Sequence, residues 1–302
     1  MDLSVDFAGI KFKNPVVAVS GAFGFGREYN ELYDLSMLGG ICVKGLTPEP
    51  RFGNRPPRIA ETPMGMLNSV GLQNPGVDAF IKDELPSLRS INTVIIANIS
   101  GASPGEYATM ARRLSGAGVD MIELNVSCPN VKEGGMHFGT TVKGVATVTG
   151  AVKKASAVPV MIKLSPNVTD ITEMALAAES AGADAISLIN TIQGMRIDIN
   201  SRKPVLHNNI GGLSGPAVLP VAVRMVWQVA SAVKIPVIGM GGISGGDDAV
   251  EMMLAGASLV GAGTACFYDP YAPLRIIKEL EGYMIRSGVD AVREITGKVE
   301  LN

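Results

Sequence analysis

Residues 121–130 read MIELNVSCPN. Met121 to Val126 alternate as a strand does. Asn125, Ser127 and Cys128 then arrive together with Pro129, which has no N–H to give a central ladder and so marks the strand's end. A carboxamide and a thiol thus stand at a strand's C-terminal rim. In a parallel barrel that rim is where side chains from several strands converge on a ligand. A lone cysteine is ordinarily a small buried hydrophobe. What makes Cys128 a candidate for chemistry is the recurrence of similar strand ends along the chain.

Seven further apolar, β-branched runs close on polar or glycine residues, at 16–20, 40–44, 94–98, 159–163, 185–190, 236–241 and 258–263. Between them lie helical patterns such as TEMALAAESAG from Thr172, AVLPVAVRMVWQVASAV from Ala217 and DDAVEMMLAG from Asp247, ending in small residues or glycine that stop a helix. Strand alternating with helix implies parallel strands joined by right-handed crossovers. Eight such units in roughly 250 residues point to a (β/α)8 TIM barrel filling 1–302 as a single α/β domain. A doubly wound open sheet would use similar runs and is the competing architecture. Ahead of the barrel, LSVDFAGIKFK (3–13) reads as a hairpin around Ala8-Gly9, placing an N-terminal plug over 1–13 at the barrel bottom.

Three connections that follow strands, at 45–79, 127–142 and 191–215, exceed the roughly 2 to 6 residues of a plain βα loop. All three should project over the C-terminal face. Segment 127–142, with Gly134, Gly135 and Gly139 beside Cys128, has the makeup of an active-site lid.

With 47% hydrophobic residues the chain can bury a substantial core. Its net charge of −2 and lack of basic runs argue against nucleic acid as a partner. The first residues carry charges throughout, and no apolar run reaches the roughly 18 to 20 residues of a membrane span. Cys42, Cys128 and Cys266 are odd in number and far apart, without CxxC spacing. That argues against disulfides, a metal site or a cluster within this chain, and a cytoplasmic location fits best.

Lys44 and Lys163 each end an apolar strand, where an ammonium is costly unless an anion meets it or it reaches water. Two on one rim favour an anion site. GMGGI (239–243) closes the seventh strand and GAGT (261–264) the eighth, where barrels commonly bind phosphate through backbone N–H groups. Asparagines recur at strand ends or in the loops beyond, at Asn68, Asn98, Asn125 and Asn190. Their carboxamides suit a flat heterocycle bearing carbonyls and N–H groups, although asparagine also caps helices and makes turns. His137 and His207 read as solvated loop residues, and Met252 and Met253 as core filler.

With these motifs in place the chain resembles the class 1 dihydroorotate dehydrogenases, flavin enzymes of pyrimidine synthesis, and most of all the class 1B catalytic subunit. The resemblance covers nearly the whole chain and rests on VKGLT (43–47), NSVGLQNPG (68–76), ELNVSCPNV (123–131), IKLSPN (162–167), INT (189–191), GGLSGPA (211–217), IGMGGI (238–243) and GAGTA (261–265). It implies an FMN-binding barrel that oxidises dihydroorotate to orotate. The implied FMN contacts are Ser20, Lys44, Gly45, Asn98, Asn125, Lys163, Ile189, Gly215, Gly241, Gly242, Gly263 and Thr264. The implied substrate contacts are Lys44, Asn68, Ser69, Val70, Gly71, Leu72, Asn125, Asn190 and Thr191. Cys128 matches the class 1 catalytic base.

By the same resemblance the C5 proton goes to Cys128 and the C6 hydride to the flavin. Lys44 pairs with the orotate carboxylate, and Lys163 stabilises the reduced flavin. Class 1B subunits pass electrons to NAD+ through a partner carrying FAD and a [2Fe–2S] cluster, in a heterotetramer built on a homodimer of the catalytic chain. This chain has neither a Rossmann fingerprint nor cluster cysteines, so FAD and the cluster are expected only in the partner. A fumarate-linked class 1A homodimer is the nearest alternative. A dihydropyrimidine dehydrogenase-like flavoprotein is a further one, and it leaves the charge of Lys44 unexplained.

Overall fold

The computed structural model describes residues 1–126 and 138–302. A hairpin comes first, β1 (Val5–Phe7) and β2 (Ile10–Phe12), with Val5 opposite Phe12. β3 (Val16–Ala18) and β4 (Gly40–Cys42) begin the barrel, and β5 (Ile59–Thr62) and β6 (Gly65–Asn68) lie in the first long connection. β7 (Val94–Ile99), β8 (Met121–Asn125), β9 (Val160–Lys163) and β10 (Ala185–Leu188) follow. β11 (Ile192–Gly194), β12 (Ile197–Asp198), β13 (Lys203–Pro204) and β14 (Gly211–Ser214) occupy the later long connection. β15 (Val237–Met240) and β16 (Leu259–Ala262) complete the set.

Among the described residues, eight parallel strands close into a barrel in the order β3, β4, β7, β8, β9, β10, β15, β16, with β16 returning to β3. Each of the eight runs read from the sequence overlaps one of these strands, and only β7 runs past its expected end, to Ile99. The strands are apolar almost throughout because both their faces are covered: the helices pack outside and the barrel interior fills the centre. Closure, rather than an open sheet, follows from the last strand pairing with the first. The hairpin seals the N-terminal end. Phe7 and Phe12 are fully buried, packed edge to face at 5.9 Å, and the Phe12 ring lies against Gly40 where β4 begins.

The helices start where short polar side chains satisfy their free N–H groups. Ser103 accepts from the Glu106 N–H at 3.2 Å while the Glu106 carboxylate accepts from Ala102 N–H at 2.8 Å. Thr141 and Asp170 do the same for helices Val142–Ala155 and Ile171–Ser180. Replacing Ser103 by alanine should lower unfolding stability by about 1 kcal/mol, measured by urea denaturation. Met252 and Met253 are fully buried in the core. No helix of the described residues is long and apolar enough to cross a membrane.

The long connections at 45–79 and 191–215 do lie over the C-terminal face, and they carry short strands that the sequence did not announce. The two connections meet over the barrel mouth and pair as a four-stranded antiparallel sheet, β11-β14-β6-β5, in which Asn68 stands opposite both Ile59 and Gly212. The β6–β14 pairing joins residues 144 apart in the chain (Asn68 Nδ2 also donates to Gly212 O at 3.3 Å). Neither strand has a long alternating pattern of its own.

Candidate active site

The C-terminal ends of the barrel strands open into a cleft whose walls are built from nearly every strand. Ser20 follows β3, Lys44 and Gly45 follow β4, Asn98 lies in β7, Asn125 ends β8 and Lys163 ends β9. Ile189, Asn190 and Thr191 follow β10, Gly241 and Gly242 follow β15, and Gly263 and Thr264 follow β16. The small sheet roofs the cleft with Asn68, Val70, Gly71, Leu72 and Gly215. Residues spread over more than 240 positions thus border one space, because parallel strands all end on the same face.

One of the site residues singled out from the sequence, Ser69, does not border this wall. Ser69 is 1% exposed and turned to Asn54, whose Nδ2 donates to the Ser69 carbonyl at 2.9 Å and to its hydroxyl at 3.2 Å. It supports the roof from behind. Cys128 lies outside the described residues, as do His137 and most of the lid expectation at 127–142. The neighbours of that segment are placed. Asn125 borders the cleft, its carbonyl accepts from the Tyr107 hydroxyl at 2.8 Å, and the Gly139 N–H donates to Val126 O at 3.0 Å. The chain therefore leaves and rejoins the barrel at the end of β8. Phe138 is buried against Tyr107 at the rejoining point.

Positive charge enters the cleft through the two lysines. Lys163 is 7% exposed and makes no ion pair or hydrogen bond to the described residues, although burying an ammonium is costly. Lys44 is half-buried on the adjoining wall, its backbone N–H tied to Gly24 O at 2.8 Å. Thr191 and Gln193 are held by a bridge from the neighbouring loop, and Thr191 N donates to Asn190 Oδ1 at 2.8 Å. Asn167 Nδ2 donates to Thr191 O at 3.0 Å, and its Oδ1 accepts from Gln193 N at 2.9 Å.

The turns after β15 and β16 bring Gly241, Gly242, Gly263 and Thr264 to the cleft edge. Gly242 has φ of +86°, and a Cβ there would sit 2.7 Å from the backbone nitrogen of Leu219. Gly242→Ala should destabilise the fold by about 1 kcal/mol or more, read as a lower urea midpoint, because alanine at positive φ is strained. Thr264 donates its hydroxyl to Ser214 at 2.8 Å, tying the roof sheet to the last strand's turn. The nearby helix Gly246–Leu254 is not open to an anion: Asp248 accepts from Ser244 N and Gly245 N, and Glu279 from Gly246 N at 2.6 Å.

Sequence reasoning passed over Glu123, Met66, Ser187 and Ser214. Met66 and Ser214 line the cleft from strands that arise only by pairing across the two long connections. Glu123 carried a readable signal: a carboxylate in an apolar strand, two residues before Asn125 and so on the same face. It is 1% exposed and accepts from Cys42 Sγ at 3.2 Å, from Ser187 Oγ at 2.7 Å and from Asn98 Nδ2. Burial, with the Glu123 carboxylate adding to it, pushes the Cys42 thiol well above its ordinary value, and burial pushes Cys266 up to about 12. Neither thiol is set up as a nucleophile or base. Among the described residues no group of three or more His, Cys, Asp or Glu side chains could hold a metal.

The residues present fit a flat conjugated ring carrying a phosphate. A nearly buried ammonium with no ion pair among the described residues and two carboxamides form the floor, and glycine turns with no room for a side chain form one end.

The comparisons agree with that geometry. A sequence profile of the family described as dihydroorotate dehydrogenase matches residues 2–284. The dihydroorotate dehydrogenase B (NAD(+)), catalytic subunit, of Alkaliphilus oremlandii is 56% identical over 298 residues, covering 99% of each chain. The protein of the same name from Thermoanaerobacter pseudethanolicus is 54% identical over 302 residues, all of both chains, and that from Geobacter metallireducens 55% over 301, or 99% of each. A full-length match at this identity, on a barrel whose strand ends carry the family's motifs, means that this chain belongs to the dihydroorotate dehydrogenase family.

Proposed function

We propose that this chain is the catalytic subunit of an NAD-linked dihydroorotate dehydrogenase, oxidising (S)-dihydroorotate to orotate in pyrimidine synthesis. The observation that carries the reading is the convergence of Lys44, Asn125, Lys163 and Asn190 from four different strands on one cleft, in a chain of this family. Bound FMN would supply the hydride acceptor for C6. Lys44 pairs with the substrate carboxylate. Asn68, Asn125, Asn190 and Thr191 hold the ring amides, with Val70, Gly71 and Leu72 closing over them and Ser69 fixing that segment from behind. Cys128, as thiolate, takes the C5 proton. Ser20, Gly45, Asn98 and Ile189 border the cofactor's space, Lys163 brings positive charge to it, and Gly215, Gly241, Gly242, Gly263 and Thr264 enclose its phosphate end.

Electrons leave through a separate subunit carrying FAD and a [2Fe–2S] cluster, which reduces NAD+. The assembly is a cytoplasmic heterotetramer around a dimer of this chain. In support, the relatives are named as catalytic subunits of an NAD(+) enzyme. Met195, Ile197, Ile199 and Ile210 also expose apolar surface on the second long connection, as association surfaces do.

Anaerobic mixing with dihydroorotate tests the reaction. The visible flavin absorbance should bleach and stay bleached when either NAD+ or fumarate is added to the isolated chain. Recovery with fumarate alone would instead assign the class 1A activity. A yellow protein that dihydroorotate leaves unbleached, but dihydrouracil bleaches, would move the substrate to an uncharged pyrimidine.

A further inference from the structure

Glu123 sits one strand pair from the cleft floor and has no part in the chemistry described above. It is the Cα partner of Asn98 across β7 and β8, while Asn125, two residues on, is the partner of Lys163. Lys163 in turn stands opposite Ser187 on β10. The carboxylate therefore enters the barrel level with Asn98 and one side-chain step before Asn125 and Lys163. Its donors come from three other strands: Cys42 from β4, Asn98 from β7 and Ser187 from β10.

A carboxylate only accepts hydrogen bonds, so the end of the Asn98 carboxamide that meets it has to be the NH2. That leaves Asn98 Oδ1 turned to the cleft side. There it accepts from Asn125 Nδ2 at 3.4 Å and lies 2.7 Å from where a Cβ on Gly45 would be, which explains why glycine stands at 45. A hydrophobic side chain at 123 would pack the barrel centre at no desolvation cost, so the buried carboxylate is hard to explain as packing.

We propose that Glu123 is a positioning residue that fixes the polarity of the Asn98–Asn125 carboxamide pair and lays a negative charge beneath the floor, opposing that of Lys163 and holding down the reduction potential of the flavin. The proposal rests on the reading that the cleft holds FMN. A buried negative charge disfavours adding electrons nearby, and in the barrel interior it is poorly screened. Its three donors offset part of that field.

The test is the midpoint potential of the flavin in the purified holoenzyme, followed by dye-linked titration together with the visible spectrum, for Glu123→Gln, Glu123→Asp and Ser187→Ala. Glutamine removes the charge while its amide can still face Asn98 and Ser187, so Glu123→Gln should raise the potential by tenfold or more in the two-electron equilibrium constant, about 30 mV. Aspartate keeps the charge and should stay near wild type. Ser187→Ala removes a donor and leaves the charge less offset, so its potential should fall.

Opposite signs for Glu123→Gln and Ser187→Ala bear the proposal out, because loosened packing has no reason to produce them. Potentials that are unmoved, or that move the same way, overturn it. Should Glu123→Gln fail to fold, Ser187→Ala and Cys42→Ala decide alone: both falling supports the proposal, and either unchanged or raised overturns it. A wild-type protein that neither carries nor takes up FMN would fail the reading of the cleft instead, before any variant is compared.

Discussion

Replacing Cys128 by alanine should leave flavin bound and cut dihydroorotate turnover by about 10²- to 10⁴-fold, the usual worth of a positioned general acid or base. Proton removal from C5 needs a group that is deprotonated at working pH and within reach of the carbon. An ordinary thiol titrates near pH ~8.5 and supplies a usable thiolate fraction at neutrality. The thiolate is the active form, so wild-type turnover should fall about tenfold per pH unit below the thiol's own pKa and level off above it. That acid limb should be missing in Cys128→Ala. Stopped-flow reduction by dihydroorotate across pH, with flavin content measured in each sample, checks both points. Near-wild-type reduction by the alanine variant would remove Cys128 from the mechanism. The other two cysteines offer no substitute, since Cys42 is committed to Glu123 and Cys266 is buried with its thiol raised to about 12.

Lys163→Met should cost about 10²- to 10³-fold in the rate of flavin reduction, the range found when one preorganised donor to developing charge is removed. The side chain is 7% exposed and has no anionic partner among the described residues, so its charge is held ready for a ligand rather than used for structure. Methionine of similar length fills the space without the charge, so the fold should tolerate it. The expected result is a slow half-reaction with KM for dihydroorotate little changed, because the substrate carboxylate is assigned to Lys44. An increase in KM with an unchanged rate would exchange the roles of the two lysines. Stability should not fall, and a urea midpoint well below wild type would show that the ammonium is structural after all.

Much of the barrel was legible because its signal is local. Each strand is a short apolar run closing on a polar residue or glycine, and the parallel arrangement follows from strand alternating with helix. The rim residues were legible for the same reason. Lys44, Asn125 and Lys163 are polar side chains at the ends of apolar runs, and if the strands are parallel their ends share a face. The hairpin at 1–13 could be read from its alternation and its Ala8-Gly9 turn.

The roof was not legible in this way. β5, β6, β11 and β14 are three or four residues long, and β6 meets β14 across 144 positions, so their pairing has no periodicity to announce it. Ser69 illustrates the consequence: the resemblance puts it among the substrate contacts, yet just past β6 it is held by Asn54 and does not border the cleft.

From the residues alone, then, came the fold class, the face that carries the site and most of the side chains that border it, because these depend on patterns repeated within a few residues. Which side chains face one another across the barrel came from its closure. The meeting of Cys42, Asn98 and Ser187 on Glu123, and of two distant connections over the mouth, depends on strand stagger and on contacts between residues far apart in the chain.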